Sequence, residues 1–214
     1  MITVDIKTLL NRLNPYCTRA LEGAAGLCVS RTHYEVTVEH LFAKLLEEAQ
    51  SDVPLILRQF ELDTGRVKKA VDQTIEEFRT GNAAKPVFSP LLLEWFQEAW
   101  LITSVDLEDN RIRSGALLLA FLVKPTQLAS GRYVDLLRPV GREALLSQFG
   151  KIVKGSIEQA SPGEKPVSEG GVPGDGTALA RFCVDFTGKA AKGESVSSLS
   201  SISSRTLSLF ITQA

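Results

Sequence analysis

The spacing of apolar residues along this chain is typical of packed α-helices. The first apolar stripe recurs every three or four positions, and it ends at Asn14-Pro15, where proline disfavours a helical residue before it. The residues of this stripe are Ile2, Ile6, Leu9, Leu10 and Leu13. Similar spacing predicts further helices, whose candidate N-caps are Thr37 or the residue before it, Asp63 or Thr64, and Ser89. Because no segment alternates with a period of two, we expect an all-α fold without strands.

Part of this pattern occurs twice. Residues 36–42 return about 76 positions later as residues 112–118, and each copy leads into a leucine-rich helix. A repeat of this length predicts a duplicated four-helix unit. The predicted boundaries are a leading helix at 1–14, repeat one at about 15–80 and repeat two at about 88–155, all within a domain at 1–158.

The composition changes after this domain. Residues 159–177 are rich in Pro, Gly and Ser, which predicts a flexible linker, and residues 178–193 form a more apolar segment. Residues 194–214 are dominated by serine and are interpreted as non-native sequence. Frameshifted coding sequence, a vector remnant and a fused partner peptide are alternatives that the sequence leaves open.

Charge and cysteine content narrow the class of protein. A net charge of −1 argues against a nucleic-acid binder that works by bulk electrostatics. The three cysteines, Cys17, Cys28 and Cys183, lack metal-ligand spacing and predict buried thiols in a reducing compartment. We find no signal-peptide pattern and no apolar run near the roughly 20 residues of a membrane span. We therefore expect a cytoplasmic protein that does not enter a membrane.

Two side-chain groups suggest other chemistry. His33 and His40 are seven positions apart, so a metal site with Glu39 is conceivable, but His40 begins a helix and is expected to bond backbone or a neighbour. No metal is therefore predicted. Trp95, Phe96 and Trp100 offer an aromatic partner site, although at least one should be core. Positions 96 and 100 share a helix face, and position 95 is rotated away from it.

Several motifs resemble a known family. Residues 13–34, with the sequence LNPYCTRALEGAAGLCVSRTHY, and the two repeat motifs at 37–41 and 113–119 are similar to the double Clp N-terminal domain of the ClpV family. These are AAA+ unfoldases that recycle the contractile sheath of type VI secretion. Residues 179–189 resemble the family's lead-in to its first ATPase domain. The resemblance implies a hexameric parent, with the isolated domain a monomer.

One family motif is missing. The ATPase domains carry a phosphate-binding loop of the form G-x-x-x-x-G-K-[ST], whose backbone amides and lysine hold the phosphates. The glycine-rich residues 170–176 lack the Lys-Ser/Thr pair. We therefore expect a chain that stops before the ATPase domain, hydrolyses no ATP and binds no cofactor, with ATP and Mg²⁺ used by the parent's other domains.

The leading helix is the candidate binding element. The resemblance implies that it helps to form a hydrophobic groove for a short helix of the sheath subunit, which would be read through anchors at i, i+3/i+4 and i+7. The predicted groove residues are Ile6, Leu9, Leu10 and Leu13 of the leading helix and Phe88, Leu92 and Phe96 near the start of repeat two. The alternative is that the stripe packs on its own domain. The second candidate function is a general adaptor- or substrate-docking N-domain of another Clp chaperone or protease unfoldase.

Overall fold

A computed structural model describes residues 6–159 of the 214-residue chain. Ten α-helices account for most of this part, so the all-α prediction is confirmed. The helices are α1 Ile6–Leu10, α2 Pro15–Ser30, α3 Val38–Leu45, α4 Asp52–Gln59, α5 Thr64–Glu76, α6 Pro90–Leu101, α7 Ser114–Phe121, α8 Pro125–Leu128, α9 Arg132–Leu137 and α10 Arg142–Ile152. A π-helical turn, Ile102–Asp106, continues α6. Ile2 and the sequence predictions for residues 160–214 lie outside the described residues.

The duplication is visible in the order of the helices. Helices α2 to α5 form the first unit, and α6, α7, α9 and α10 follow in the second, with the short α8 added between α7 and α9. The two units also exchange equivalent hydrogen bonds. The amide of Ser89 donates to the carbonyl of Val36 at 3.0 Å, and the amide of Asn14 donates to the carbonyl of Ile112 at 2.9 Å. The first helix of each unit therefore starts against the connector of the other unit.

The expectation of no strands is wrong in detail. Two short strands, β1 Glu35–Val36 and β2 Val87–Phe88, pair in parallel with Glu35 opposite Val87. A single parallel bridge joins Leu13 to Ile112 at the equivalent place in the other half. A strand of two residues is too short to show a period of two, so the pattern could not reveal it.

Most predicted helix starts are confirmed. The Ser89 hydroxyl accepts from the amide of Leu92 at 3.2 Å, and the Asp63 carboxylate accepts from the amide of Gly65 at 2.7 Å. Each cap satisfies one of the amides that a helix N-terminus leaves without an intrahelical partner. Thr37 precedes α3 as its N-cap.

The leading helix is shorter than its apolar stripe suggested. It ends at Leu10, and Leu13 lies beyond it in the parallel bridge to Ile112. The next helix opens with Asn14, whose side-chain oxygen accepts from the amide of Cys17 at 2.7 Å. The segment between the two helices, a turn at residues 11 and 12 followed by Leu13 and Asn14, pairs with repeat two, and local sequence does not encode this pairing.

Aromatic side chains fill the centre of the domain. The rings of Phe42 and Trp95 stack with centroids 6.0 Å apart, and Phe121 lies beside both. Trp95 is fully buried and its indole N–H donates to the carbonyl of Leu117 at 2.7 Å, whereas Trp100 is only partly buried. The expectation that at least one of the three aromatic residues of α6 lies in the core is confirmed, and Trp95 and Phe96 are both buried because α6 packs against α1, α3 and α7 and so has more than one buried face.

Candidate functional site

Helix α1 packs against α6, the first helix of repeat two. Leu9 and Leu10 are 2% and 6% exposed, whereas Ile6 is 43% exposed. The buried Leu9 and Leu10 therefore anchor α1 on α6, and Ile6 remains as apolar surface beside it.

The predicted groove residues fall into two groups. Leu13, Leu92 and Phe96 are buried together with Leu9 and Leu10, so these side chains pack within their own domain. This is the alternative that the sequence left open for the stripe. Ile6 and the partly exposed Phe88 present apolar surface to solvent. The binding of a peptide by these seven residues stays a prediction.

Two partly exposed side chains, Leu93 and Trp100, lie on the same face of α6 as the buried Phe96. Leu93, Phe96 and Trp100 are spaced i, i+3 and i+7, so they share one helix face. The guanidinium of Arg12 lies 4.8 Å from the centroid of the Trp100 ring, a cation–π contact that joins the leading segment to this face. The sequence offered Trp100 only as one of three aromatic candidates.

The segment after α1 is bound through its backbone. Arg111 donates from Nη1 to the carbonyls of Asn11 and Leu13, at 3.1 and 3.3 Å. The amide of Ile112 donates to the carbonyl of Arg12 at 2.7 Å. Two consecutive residues of repeat two thus bind three consecutive carbonyls of the leading segment.

A buried polar junction joins the two repeats near the end of the described chain. The Glu158 carboxylate accepts from the amides of Asp52 and Ser114, at 2.9 and 2.8 Å, and from the side-chain amide of Asn14 at 2.8 Å. The Ser114 hydroxyl is a further donor to it. Because Asp52 and Ser114 are the first residues of α4 and α7, one carboxylate caps both helices. No local pattern in the chain indicates this cluster.

An ion pair lies beside this carboxylate. Arg113 binds Asp52 with two hydrogen bonds of 2.8 and 2.9 Å, and the Asp52 side chain is fully buried. Burial and the charge of Asp52 raise the pKa of Glu158, and Asp52 raises the pKa of Arg113 in spite of burial. These groups hold repeat one, repeat two and the end of the domain in one network.

The two histidines lie within hydrogen-bond distance of each other. His33 Nδ1 lies 2.8 Å from His40 Nε2, and the amide of Thr37 donates to His40 Nδ1 at 3.1 Å. His40 therefore carries its proton on Nε2 and donates to His33. Glu39 instead accepts from the Tyr133 hydroxyl at 3.1 Å. The expectation that His40 bonds backbone and a neighbour is confirmed.

This histidine pair is kept neutral by its surroundings. Burial lowers the pKa of His40 to about 4, and it also lowers the pKa of His33. A cavity of about 270 Å³ opens beside His33, with Tyr34, Phe78 and Arg79 in its wall. Among residues 6–159, no cluster of three or more His, Cys, Asp or Glu side chains has an arrangement that could hold a metal ion.

The two thiols in this part of the chain are buried and free, as predicted. Cys17 is 1% exposed and Cys28 is fully buried. Burial raises the pKa of both thiols, that of Cys28 to about 11, so neither forms a reactive thiolate at neutral pH. Over the described range, no helix is both long and apolar enough to cross a membrane.

The fold, two copies of a four-helix unit joined by reciprocal connector pairing, is that of a Clp N-terminal repeat domain. The family model for the Clp repeat (R) N-terminal domain matches residues 12–131. The chain belongs to this family, as the sequence resemblance predicted.

Curated relatives do not separate two branches of the family. The chain is 25% identical over 208 residues to the AAA+ ATPase ClpV1 of Pseudomonas aeruginosa, which covers 91% of this chain and 23% of the relative. It is 27% identical over 208 residues to the chaperone protein ClpB of Yersinia enterocolitica, which covers 90% of this chain and 23% of the relative. The chain thus spans about a quarter of the length of these relatives.

Solved structures favour the ClpV branch. The N-domain of ClpV from Vibrio cholerae is 40% identical, with a TM-score of 0.70, and the match covers 74% of this chain and 95% of that one. A complex of a ClpV N-domain with a VipB peptide matches at 39% identity and a TM-score of 0.67, over 74% of this chain and 97% of that one. Each match therefore covers nearly the whole of the solved N-domain and about three quarters of this chain.

Proposed function

We propose that this domain is the substrate-recognition module of a type VI secretion unfoldase, and that it binds a short helix of a sheath subunit beside α1. The observation that carries this proposal is the likeness to a ClpV N-domain that forms a complex with a VipB peptide. An N-domain with the same fold and 39% identity has the means to bind a similar peptide. In the parent protein, binding would bring contracted sheath to the ATPase.

The surface beside α1 supports this mode of binding. An amphipathic helix needs apolar contacts spaced along a groove, with polar groups at the edges. Ile6, Phe88, Leu93 and Trp100 supply partly exposed apolar surface near α1 and α6, and the buried Leu9 and Leu10 hold α1 in place under it. We propose that peptide anchors contact this surface rather than the buried leucines.

In this proposal, ATP hydrolysis is carried out by other domains of the parent protein. The matched family is the N-terminal repeat alone, and the relatives are about four times longer than the chain. ATP and Mg²⁺ would act in ATPase domains of a hexameric parent, and this domain would contribute binding only. We propose a cytoplasmic location with this function, since an unfoldase needs ATP.

A titration with a VipB-derived helical peptide tests the proposal. Fluorescence anisotropy of labelled peptide gives the Kd for the wild-type chain and for Ile6→Asp. A charge on this half-exposed side chain should raise the Kd about tenfold or more, because the burial of its apolar surface is lost. Val29→Asp is the matched control, since Val29 is 49% exposed on α2 and should keep wild-type affinity. No binding by the wild-type chain would refute the proposal.

The second candidate is a general docking N-domain, and the 27% identity to a ClpB chaperone favours it about as strongly as the curated ClpV relative favours the first. The same assay separates the two. An unfolded protein that competes with the peptide at equal affinity, with no effect of Ile6→Asp on either ligand, would support general docking. Selective binding of the helix that depends on Ile6 would support sheath recognition.

A further inference from the structure

The leading segment is held by repeat two through an unusual concentration of backbone contacts. Carbonyls near a helix C-terminus have no intrahelical partner and need donors from elsewhere. Arg111 supplies two of these donors to the carbonyls of Asn11 and Leu13, and Ile112 supplies one to the carbonyl of Arg12. One guanidinium therefore provides two of the three hydrogen bonds that repeat two donates to the chain just after α1.

That guanidinium is itself placed by a turn. The Asp109 carboxylate accepts from the amides of Asn110 and Arg111, at 2.7 and 3.3 Å, and the amide of Asp109 donates to the carbonyl of Thr103 at 2.9 Å. The connector is thus tied to the end of α6 on one side and to the leading segment on the other. A side chain on such a fixed turn has a defined direction.

The duplication shows that this arrangement is specific to repeat two. The position equivalent to Arg111 in repeat one, in the register that aligns Val36 with Ile112, is Glu35. A carboxylate cannot donate to carbonyls. In repeat one the amides of Val87 and Ser89 donate to the carbonyls of Tyr34 and Val36, and the side-chain amide of Asn82, from the segment before β2, donates to the carbonyl of His33. Fold maintenance therefore does not require an arginine at this position.

We propose that Arg111 is the positioning residue of the peptide site: it fixes α1 on α6 in the orientation that admits the peptide helix, without contacting the peptide itself. This inference rests on the proposed function. It follows from the burial of Leu9 and Leu10 of α1 and from the two carbonyls just after α1 that Arg111 binds. Loss of Arg111 leaves the core intact and lets the leading segment move.

The test uses Arg111→Met, Arg111→Lys and the control Arg138→Met. Methionine keeps most of the apolar stem and removes every donor, whereas lysine keeps a charge and a donor. Arg138 is an exposed arginine on the same repeat, paired only with the exposed Asp135 among the contacts of the described residues. The measurements are the Kd for the VipB-derived peptide, hydrogen exchange of the amides of residues 11–13, and the urea unfolding midpoint.

We expect Arg111→Met to raise the Kd about tenfold and to speed exchange at residues 11–13 by a similar factor, because hydrogen bonds to a charged group are lost. Arg111→Lys should recover part of both effects, and the unfolding midpoint should match that of Arg138→Met. Wild-type affinity in Arg111→Met overturns the inference and leaves the proposed function standing. A loss of affinity that lysine does not restore and that follows the unfolding midpoint overturns it too, since it indicates a structural role. If the wild-type chain does not bind the peptide, both this inference and the proposed function are overturned.

Discussion

The neutral histidine pair makes the stability of this domain sensitive to mild acid. His40 accepts from the amide of Thr37 at Nδ1 and donates from Nε2 to His33, so the neutral imidazole satisfies both contacts. The pKa of His40 is lowered from 6.5 to about 4, mainly by burial. The unfolded chain, in which His40 is solvated, therefore binds a proton that the folded chain does not bind between these two values.

The sign and size of the effect follow from this difference. Because the unfolded state binds more protons, the free energy of unfolding rises with pH across the interval. The contribution is fully present above pH 6.5 and is lost as the pH falls through about 4. A difference of about 2.5 pKa units at about 1.36 kcal/mol per unit gives a loss of about 3 kcal/mol.

The variant His40→Gln isolates the contribution of His40 to the pH dependence of the free energy of unfolding. Glutamine can accept from Thr37 and donate toward His33, but it does not titrate. Urea unfolding at several pH values between 7 and 4 should show that the wild-type chain loses about 3 kcal/mol more than His40→Gln, because the carboxylates titrate in both chains. Parallel curves of unfolding free energy against pH would refute the reasoning. An imidazole titration by NMR with a midpoint near 6.5 for His40 would do so independently.

Other perturbations have directions set by single contacts, and each is measured by urea unfolding. Gly115→Ala should lower the free energy of unfolding by about 1–3 kcal/mol, because the added Cβ would lie 2.7 Å from the Phe149 ring. Gly150→Ala should stabilise α10 by about 0.5–1 kcal/mol, because the added Cβ would have nothing within 4 Å. Equal effects of the two substitutions would contradict the packing around Gly115. Tyr133→Phe should cost about 1–3 kcal/mol, because it removes the donor to the buried Glu39; an unchanged midpoint would show that this bond is dispensable. Glu158→Ala should cost more than Glu158→Gln, since alanine removes every acceptor at the two helix starts, while glutamine keeps one oxygen and relieves the repulsion from Asp52; the reverse order would contradict the capping role.

Local signals predicted a large part of the fold. The caps at Asp63 and Ser89, the helix from Ser114 and the core thiols Cys17 and Cys28 all follow from neighbours in sequence or from simple periodicity. The duplication also follows, because a repeated motif implies a repeated unit. These features depend on contacts within a few residues or on burial of an obvious apolar face.

The polar junction could not be predicted in this way. Glu158 binds Asn14, which is 144 positions away, and Asp52, which is 106 positions away. Isolated polar residues of this kind are usually solvated, and nothing in the local pattern distinguishes these from surface residues. Only the folded arrangement of the helix starts reveals that one carboxylate meets several donors.

The candidate site could be predicted from the sequence only in part, and for a different reason. The stripe of Ile6, Leu9, Leu10 and Leu13 indicates surface that must leave water, but the hydrophobic effect has no direction and does not say whether the domain or a partner covers it. The structure covers the leucines with the domain and leaves Ile6 half-exposed. Exposure measured on the folded chain, rather than apolar spacing, is therefore what separates supporting residues from candidate contacts.

The connector of repeat two brings these separate features together. Within four consecutive residues, Arg111 and Ile112 bind the leading segment, Arg113 binds Asp52 of repeat one, and Ser114 binds Glu158. A peptide bound beside α1 would therefore lie a few residues, rather than a whole domain, from the junction at the end of the described chain. In the proposed function, a load on the bound peptide would pass through paired backbone, an ion pair and a helix cap, and the cap and the ion pair are buried.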